Sequence, residues 1–207
     1  MRLRLIDCQD SFTWNLVDLF QRQAACVEVL SVQSSLSELL APGPEAWILS
    51  PGPGRPADWP ALHQFLERLA TTTPLLGVCL GHQAIGEYFG ARLQRDNPMH
   101  GESIIVDRTS GDLFNGLKPS FDAMRYNSLG LDPKSKPEAL QWTAYGPAGE
   151  VMALAHRERP WFGVQFHPDS ILTPCGEDIA VRFMEIVMTN RAGNGPLLDL
   201  DSHSLRP

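Results

Sequence analysis

The stretch Pro74-Leu75-Leu76-Gly77-Val78-Cys79-Leu80-Gly81-His82-Gln83 decides how the chain is read. Pro74 to Val78 is a short apolar run of strand character, and a helical segment from Gly81 to Phe89 follows almost at once. Cys79 sits at the junction with a glycine two residues to either side. A sharp strand-to-helix turn forces strained backbone on its central residue, and small neighbours keep the turn from colliding with what surrounds it. The cysteine then projects at the carboxyl edge of a sheet, beside a helix N-terminus whose dipole favours thiolate over thiol. The same pattern also suits simple strand-to-helix packing around a buried cysteine, so a nucleophile reading needs a base elsewhere.

Outward from this elbow the pattern repeats. Leu3 to Ile6 is an apolar run ending at Asp7, and Ser11 to Gln23 places Phe12, Leu16, Leu19 and Phe20 at helical spacing. Val27 to Val32 is a second strand, Leu36 to Leu40 a short helix, Ala46 to Ser50 a third strand and Pro60 to Ala70 a helix. With Pro74 to Val78 that makes four strand units separated by helices, which predicts an α/β fold: a mostly parallel central sheet with both faces covered. From Ala91 to Phe166 the runs are shorter and separated by Gly, Pro and Asp turns: Ser103 to Asp107, Leu140 to Ala144, Val151 to Ala155 and Trp161 to Gln165. These predict short antiparallel additions in the second half. An amphipathic helix from about Glu177 to Thr189 closes the pattern. A chain of 207 residues suits one domain, expected over 1–190, with 191–207 as a loose tail.

The composition, 43% hydrophobic and 20% charged, is that of an ordinary globular protein, and a net charge of −7 with scattered basic residues argues against nucleic acid. No apolar run is long enough for a membrane span, and an acid at Asp7 interrupts any signal-peptide region, so the chain reads as cytoplasmic. Cys8, Cys26, Cys79 and Cys175 are widely spaced without Cys-x-x-Cys, which indicates neither a zinc site nor a redox pair. No metal or organic cofactor is implied.

Among six histidines, His167 has the context of a base. Phe162 to Phe166 is strand-like and delivers His167-Pro168-Asp169 to its carboxyl end; residues two apart on extended chain share a face, so Asp169 can orient the His167 imidazole while its other nitrogen faces the thiol. Taken alone, His-Pro-Asp reads more readily as an exposed turn with Asp169 as a cap. Combined with the elbow it completes a nucleophile, base and orienting acid. His82 lies three residues past the cysteine and is poorly placed to turn back on it; His63, His100, His156 and His203 have no comparable setting. Acyl transfer from an amide also needs donors for a tetrahedral oxyanion: the Leu80 N–H is one, and Ser50-Pro51-Gly52-Pro53-Gly54, at the same sheet edge, can supply more.

Together with Asp10-Ser11-Phe12-Thr13, Met99-His100-Gly101 and the run Phe166 to Pro174, these motifs resemble the triad-type glutamine amidotransferases, most closely the small glutaminase subunits of anthranilate and aminodeoxychorismate synthases. The resemblance implies the flavodoxin-like fold of that family. It implies that Cys79 attacks the side-chain amide of L-glutamine, that His167 passes the proton to departing ammonia, and that water hydrolyses the thioester. It further implies an oxyanion site at Gly52, Pro53, Gly54 and Leu80, a glutamine site at Gln83, Ser128 and Leu129, and a chorismate-using synthase as partner that receives the ammonia. Two positions depart from the family pattern. Asp169 stands where glutamate is usual, roughly 1.5 Å shorter in reach, and Asn127 stands where histidine usually precedes Ser-Leu. The competing expectations are a stand-alone γ-glutamyl hydrolase and a noncatalytic regulatory subunit.

Overall fold

The computed structural model describes residues 1–108 and 110–193. Among these residues nine strands form one sheet: β1 (Arg2–Asp7), β2 (Cys26–Ser31), β3 (Ala46–Leu49), β4 (Leu75–Val78), β5 (Leu93–Arg108), β6 (Ser120–Leu131), β7 (Leu140–Tyr145), β8 (Val151–His156) and β9 (Trp161–Val164). Their spatial order is β2-β1-β3-β4-β9-β8-β7-β5-β6. The α-helices among the described residues are α1 (Thr13–Arg22), α2 (Leu36–Leu39), α3 (Pro60–Arg68), α4 (Leu80–Tyr88) and α5 (Gly176–Arg191). None of the described helices is long and apolar enough to cross a membrane.

The predicted α/β class holds. Strands β2, β1, β3, β4 and β9 are parallel, and their side chains alternate between two separate cores. Leu3, Leu5, Ile48, Leu76, Val78, Phe162 and Val164 face a core completed by Leu16, Leu19 and Phe20 of α1 and by Ile179 and Phe183 of α5. Ile6, Trp47, Leu49, Leu75 and Trp161 face the opposite core, with Leu62, Phe65 and Leu66 of α3 and Ala84 and Ile85 of α4. Full burial of aromatic side chains such as Phe65 and Phe183 is worth about 2–3 kcal/mol each.

The second half differs from the sequence expectation in two respects. The run beginning at Trp161 is not an antiparallel addition: β9 pairs parallel with β4 and antiparallel with β8, and so joins the two halves of the sheet. The stretch from 93 to 131 is a long two-stranded arm rather than short strands. β5 and β6 pair antiparallel from Leu93↔Leu131 to Asp107↔Ser120, with irregularities between Arg95 and Met99 and between His100 and Glu102. Much of that arm is polar and exposed, so it lacks the apolar run that marks a strand. Of the expected tail, Arg191 ends α5, and 194–207, including His203, lie outside the described residues.

Strand order reverses direction between β1 and β3, and the loops that follow β1, β3, β4 and β9 all emerge at the same carboxyl edge. In parallel α/β sheets that crevice is where ligands bind. Cys8, Ser50, Cys79 and Gln165 each directly follow one of these four strands.

Candidate active site

Cys79 has φ 53° and ψ −101°, a conformation that side-chain-bearing residues rarely adopt. Its N–H donates to Val164 O (2.8 Å) and its carbonyl accepts from Gln83 N (3.1 Å), so β9 and α4 hold the strained residue from both sides. The flanking glycines are sterically required. A Cβ at Gly77 would lie 2.4 Å from the Gly81 backbone, and one at Gly81 would lie 2.6 Å from the carbonyl oxygen and the Cβ of Leu49.

His167 is placed by β6. Its N–H donates to Met124 O (2.9 Å), while Thr173 Oγ1 donates to His167 O (2.7 Å) and accepts from Met124 N (2.9 Å). The ring meets the edge of Phe12 with centroids 5.2 Å apart. Phe12 is set in turn by Asp10 Oδ1, which accepts its N–H, and by the Asp7 carboxylate that receives the Thr13 hydroxyl.

His167 Nδ1 and Asp169 Oδ1 are 3.7 Å apart with both side chains buried, beyond hydrogen-bond distance. Neither ring nitrogen and neither carboxylate oxygen has a hydrogen-bond partner. Burial by itself works against the imidazolium, but the Asp169 carboxylate and Cys79 outweigh it and raise the His167 pKa from 6.5 to about 10. The histidine is thus poised to take and hold a proton between a sulfur and a carboxylate. The other described histidines are differently placed: His82 is fully buried against Gly163, with burial lowering its pKa to about 3, and His156 Nδ1 accepts the Glu158 and Arg159 amides. His63 packs on Tyr88 and His100 on Tyr126.

The glycine loop after β3 closes on the elbow. A Cβ at Gly52 would come within 2.5 Å of Leu80 Cδ2 and 2.7 Å of Cys8 Cβ, so only glycine lets this loop approach the residue after the cysteine. Ser50 Oγ accepts from Cys8 N (2.8 Å) and donates to Pro51 O (2.6 Å). Pro53 O accepts the Trp59 indole N–H (3.0 Å), and Gly54 takes φ 76° beside Asp58, whose carboxylate caps Arg55 N. Leu80 N–H belongs to the first turn of α4, where amides have no intrahelical acceptor.

Gln83 on α4 reaches the arm: its Nε2 donates to Leu129 O (2.7 Å) and to Gln165 Oε1 (3.0 Å). Leu129 O also accepts from Asn127 Nδ2 (2.8 Å), and Asn127 Oδ1 accepts from Arg125 Nε (3.1 Å). Ser128 is exposed and Leu129 half-buried on the same strand. The structure therefore gathers Cys79, Leu80, Gly52, Gln83, Leu129, His167 and Asp169 at one sheet edge. Sequence reasoning assigned nothing to Gln165, which is fully buried with its Nε2 3.6 Å from Cys79 Sγ. The available signal was a glutamine inside the apolar run Trp161 to Phe166.

Comparison with known proteins gives concordant results. The family profile for class-I glutamine amidotransferases matches residues 4–187. An aminodeoxychorismate synthase component 2 from Klebsiella aerogenes is 39% identical over 182 residues, covering 87% of this chain and 97% of that protein. Anthranilate synthase component 2 is 39% identical over 189 residues in Pseudomonas aeruginosa, covering 88% and 94%, and 41% identical over 193 residues in Mycobacterium tuberculosis, covering 89% and 82%. A crystal structure described as a putative GMP synthase component from Thermoplasma acidophilum superposes with a TM-score of 0.83 at 21% identity, covering 93% of this chain and 96% of that one, which establishes the fold in common. The sequence identity to the synthase components, sustained along nearly the whole of both chains, reflects descent: the chain belongs to the class-I glutamine amidotransferase family.

Proposed function

We propose that this amidotransferase releases ammonia from L-glutamine through a Cys79 thioester and supplies it to a chorismate-using synthase of the anthranilate or aminodeoxychorismate type. The observation that carries this reading is the strained Cys79 facing a buried His167 whose proton affinity is raised by the sulfur and by Asp169.

His167 takes the Cys79 proton, Sγ bonds to the glutamine side-chain carbonyl carbon, and the oxyanion is received by Leu80 N–H and the loop amides of Gly52 to Gly54. On collapse the carbon–nitrogen bond breaks, His167 returns the proton to the leaving nitrogen, and ammonia departs. Water, deprotonated by His167, then cleaves the thioester to glutamate and restores the thiol.

Gln83 orients the substrate. Both of its N–H groups are engaged, by Leu129 O and Gln165 Oε1, so it offers a ligand only its Oε1, an acceptor suited to the α-ammonium of glutamine. Leu129 O already receives two donors, which leaves the Ser128-Leu129 segment's remaining polar groups for the α-carboxylate.

The long His167–Asp169 separation favours a glutaminase that is slow alone and tightens when a partner seats against it. Product formation by a chorismate-using synthase co-expressed with this chain tests the partnership. Glutamine should replace added ammonium as nitrogen source, and glutaminase turnover should rise on complex formation. A synthase that responds to ammonium alone in the presence of this chain contradicts it, and vigorous glutamine or γ-glutamyl hydrolysis without any partner favours a stand-alone hydrolase.

A further inference from the structure

The side-chain amide of Gln165 touches the nucleophile, and its orientation follows from the structure. A backbone carbonyl can only accept, so Leu129 O fixes which end of the Gln83 amide is nitrogen. That nitrogen also faces the Gln165 side chain at 3.0 Å, which must therefore present oxygen to it. The other end of Gln165 is then NH2, and it is this end that lies 3.6 Å from Cys79 Sγ. Leu129 O, Gln83, Gln165 and Cys79 form a directed chain that ends with an N–H donor on the sulfur. Gln165 is 0% exposed and directly follows β9, whose Val164 carbonyl holds the Cys79 amide, so it has little freedom to turn away.

We propose that Gln165 is a residue of the reaction itself: its Nε2 donates to Cys79 Sγ, stabilises the thiolate, and fixes the sulfur relative to the glutamine cradle through Gln83. A neutral amide in this position favours the charged form of the nucleophile without competing for protons, so it complements His167 rather than duplicating it. His167, with Asp169 behind it, is the titratable group acting directly on Cys79; His82 on α4 is turned against Gly163, and Cys8 packs beside Gly52. The proposal rests on Cys79 being the nucleophile.

The test is the pH dependence of Cys79 alkylation by iodoacetamide, followed on the Cys79 peptide by mass spectrometry, in wild type, Gln165→Met and Gln165→Glu. Alkylation needs no glutamine turnover, so failure here is distinguishable from failure of the glutaminase reading. Met fills the space without a donor and should move the alkylation midpoint upward by about one pH unit. Glu is nearly isosteric, carries charge of the same sign as the thiolate, and should move it further. A purely structural role would not order the variants by donor and charge. Leu129 O still holds Gln83 in Gln165→Met, so glutaminase kcat should fall about tenfold while KM stays within about twofold. A folded Gln165→Met with the wild-type alkylation midpoint overturns the proposal whatever its turnover; if that variant does not fold, Gln165→Glu decides by the same criterion.

Discussion

At the residue scale the site turns on a missing fraction of an ångström. Asp169, one methylene shorter than the glutamate usual in the family, was expected to work on a slightly shifted backbone, yet the His167 Nδ1–Asp169 Oδ1 separation is 3.7 Å, beyond hydrogen-bond distance. The acid still acts on the imidazole through space, because both groups are buried and their attraction is weakly screened. The oriented hydrogen bond is absent. Asp169→Glu should restore it, raising glutaminase kcat by roughly tenfold, equivalent to about 1.4 kcal/mol of barrier. Steady-state glutamate release at saturating glutamine measures this, and an unchanged or lower kcat in a folded variant would show that the acid's reach does not limit the reaction. Cys79 and His167 were legible in the sequence as candidate nucleophile and base because a strand-to-helix elbow and a strand-end His-Pro-Asp each leave a local pattern. Gln165 was not, because one polar residue in an apolar strand acquires meaning only when the fold brings α4 and β6 to it.

At the scale of elements, β1 to β4 were readable as parallel strands, β9 was readable as a strand but not as a parallel one, and of the arm only Ser103 to Asp107 was readable. Strands β3, β4 and β9 are buried on both faces and appear as continuous apolar runs, and β1 is interrupted by Arg4 alone between Leu3 and Ile6. The β6 strand hides its inward face behind charge. Arg125 is 0% exposed, yet its guanidinium donates to Asp96 Oδ2 (2.9 Å), Glu150 Oε1 (3.2 Å) and Asn127 Oδ1 (3.1 Å). Compensated in this way, an arginine can occupy a core position that sequence periodicity reads as a loop. The same network holds Asn127, and through it the Leu129 carbonyl on which Gln83 is anchored. Arg125→Met should therefore cost about 3–5 kcal/mol of stability by leaving two mostly buried carboxylates without a counter-charge. Urea denaturation checks this: a midpoint within experimental scatter of wild type would mean that Asp96 and Glu150 escape to solvent. The departure from histidine at Asn127 is thus accommodated as a bridging amide with both ends occupied.

At the scale of the whole molecule, buried histidines shape the pH range of stability in opposite directions. Burial lowers the pKa of His82 from 6.5 to about 3, so the unfolded chain binds its proton more readily than the folded one. Its contribution is complete above pH 6.5 and is lost as pH falls toward 3. His167 is raised from 6.5 to about 10, so its contribution is complete below pH 6.5 and is lost as pH rises through 10. His82→Leu removes the first effect. Between pH 6 and pH 4 the variant's unfolding free energy should decline less steeply than wild type, by about 1.4 kcal/mol per pH unit, while the two stay similar at pH 7.5 because the imidazole makes no well-formed hydrogen bond that the variant would lose. Parallel slopes over that interval would show that His82 takes up a proton in the folded state.

The proposed nucleophile, base, oxyanion loop and glutamine cradle come from separate segments that the sheet brings to one edge. The proposed function depends on covalent chemistry at Cys79. The most direct measurement is the trapping of radiolabelled glutamine on the protein by acid quench, together with glutamate release, in wild type and Cys79→Ala. Wild type should carry label on the Cys79 peptide and form glutamate, with both lost in Cys79→Ala. Glutamate release that persists undiminished in Cys79→Ala would contradict the proposed function.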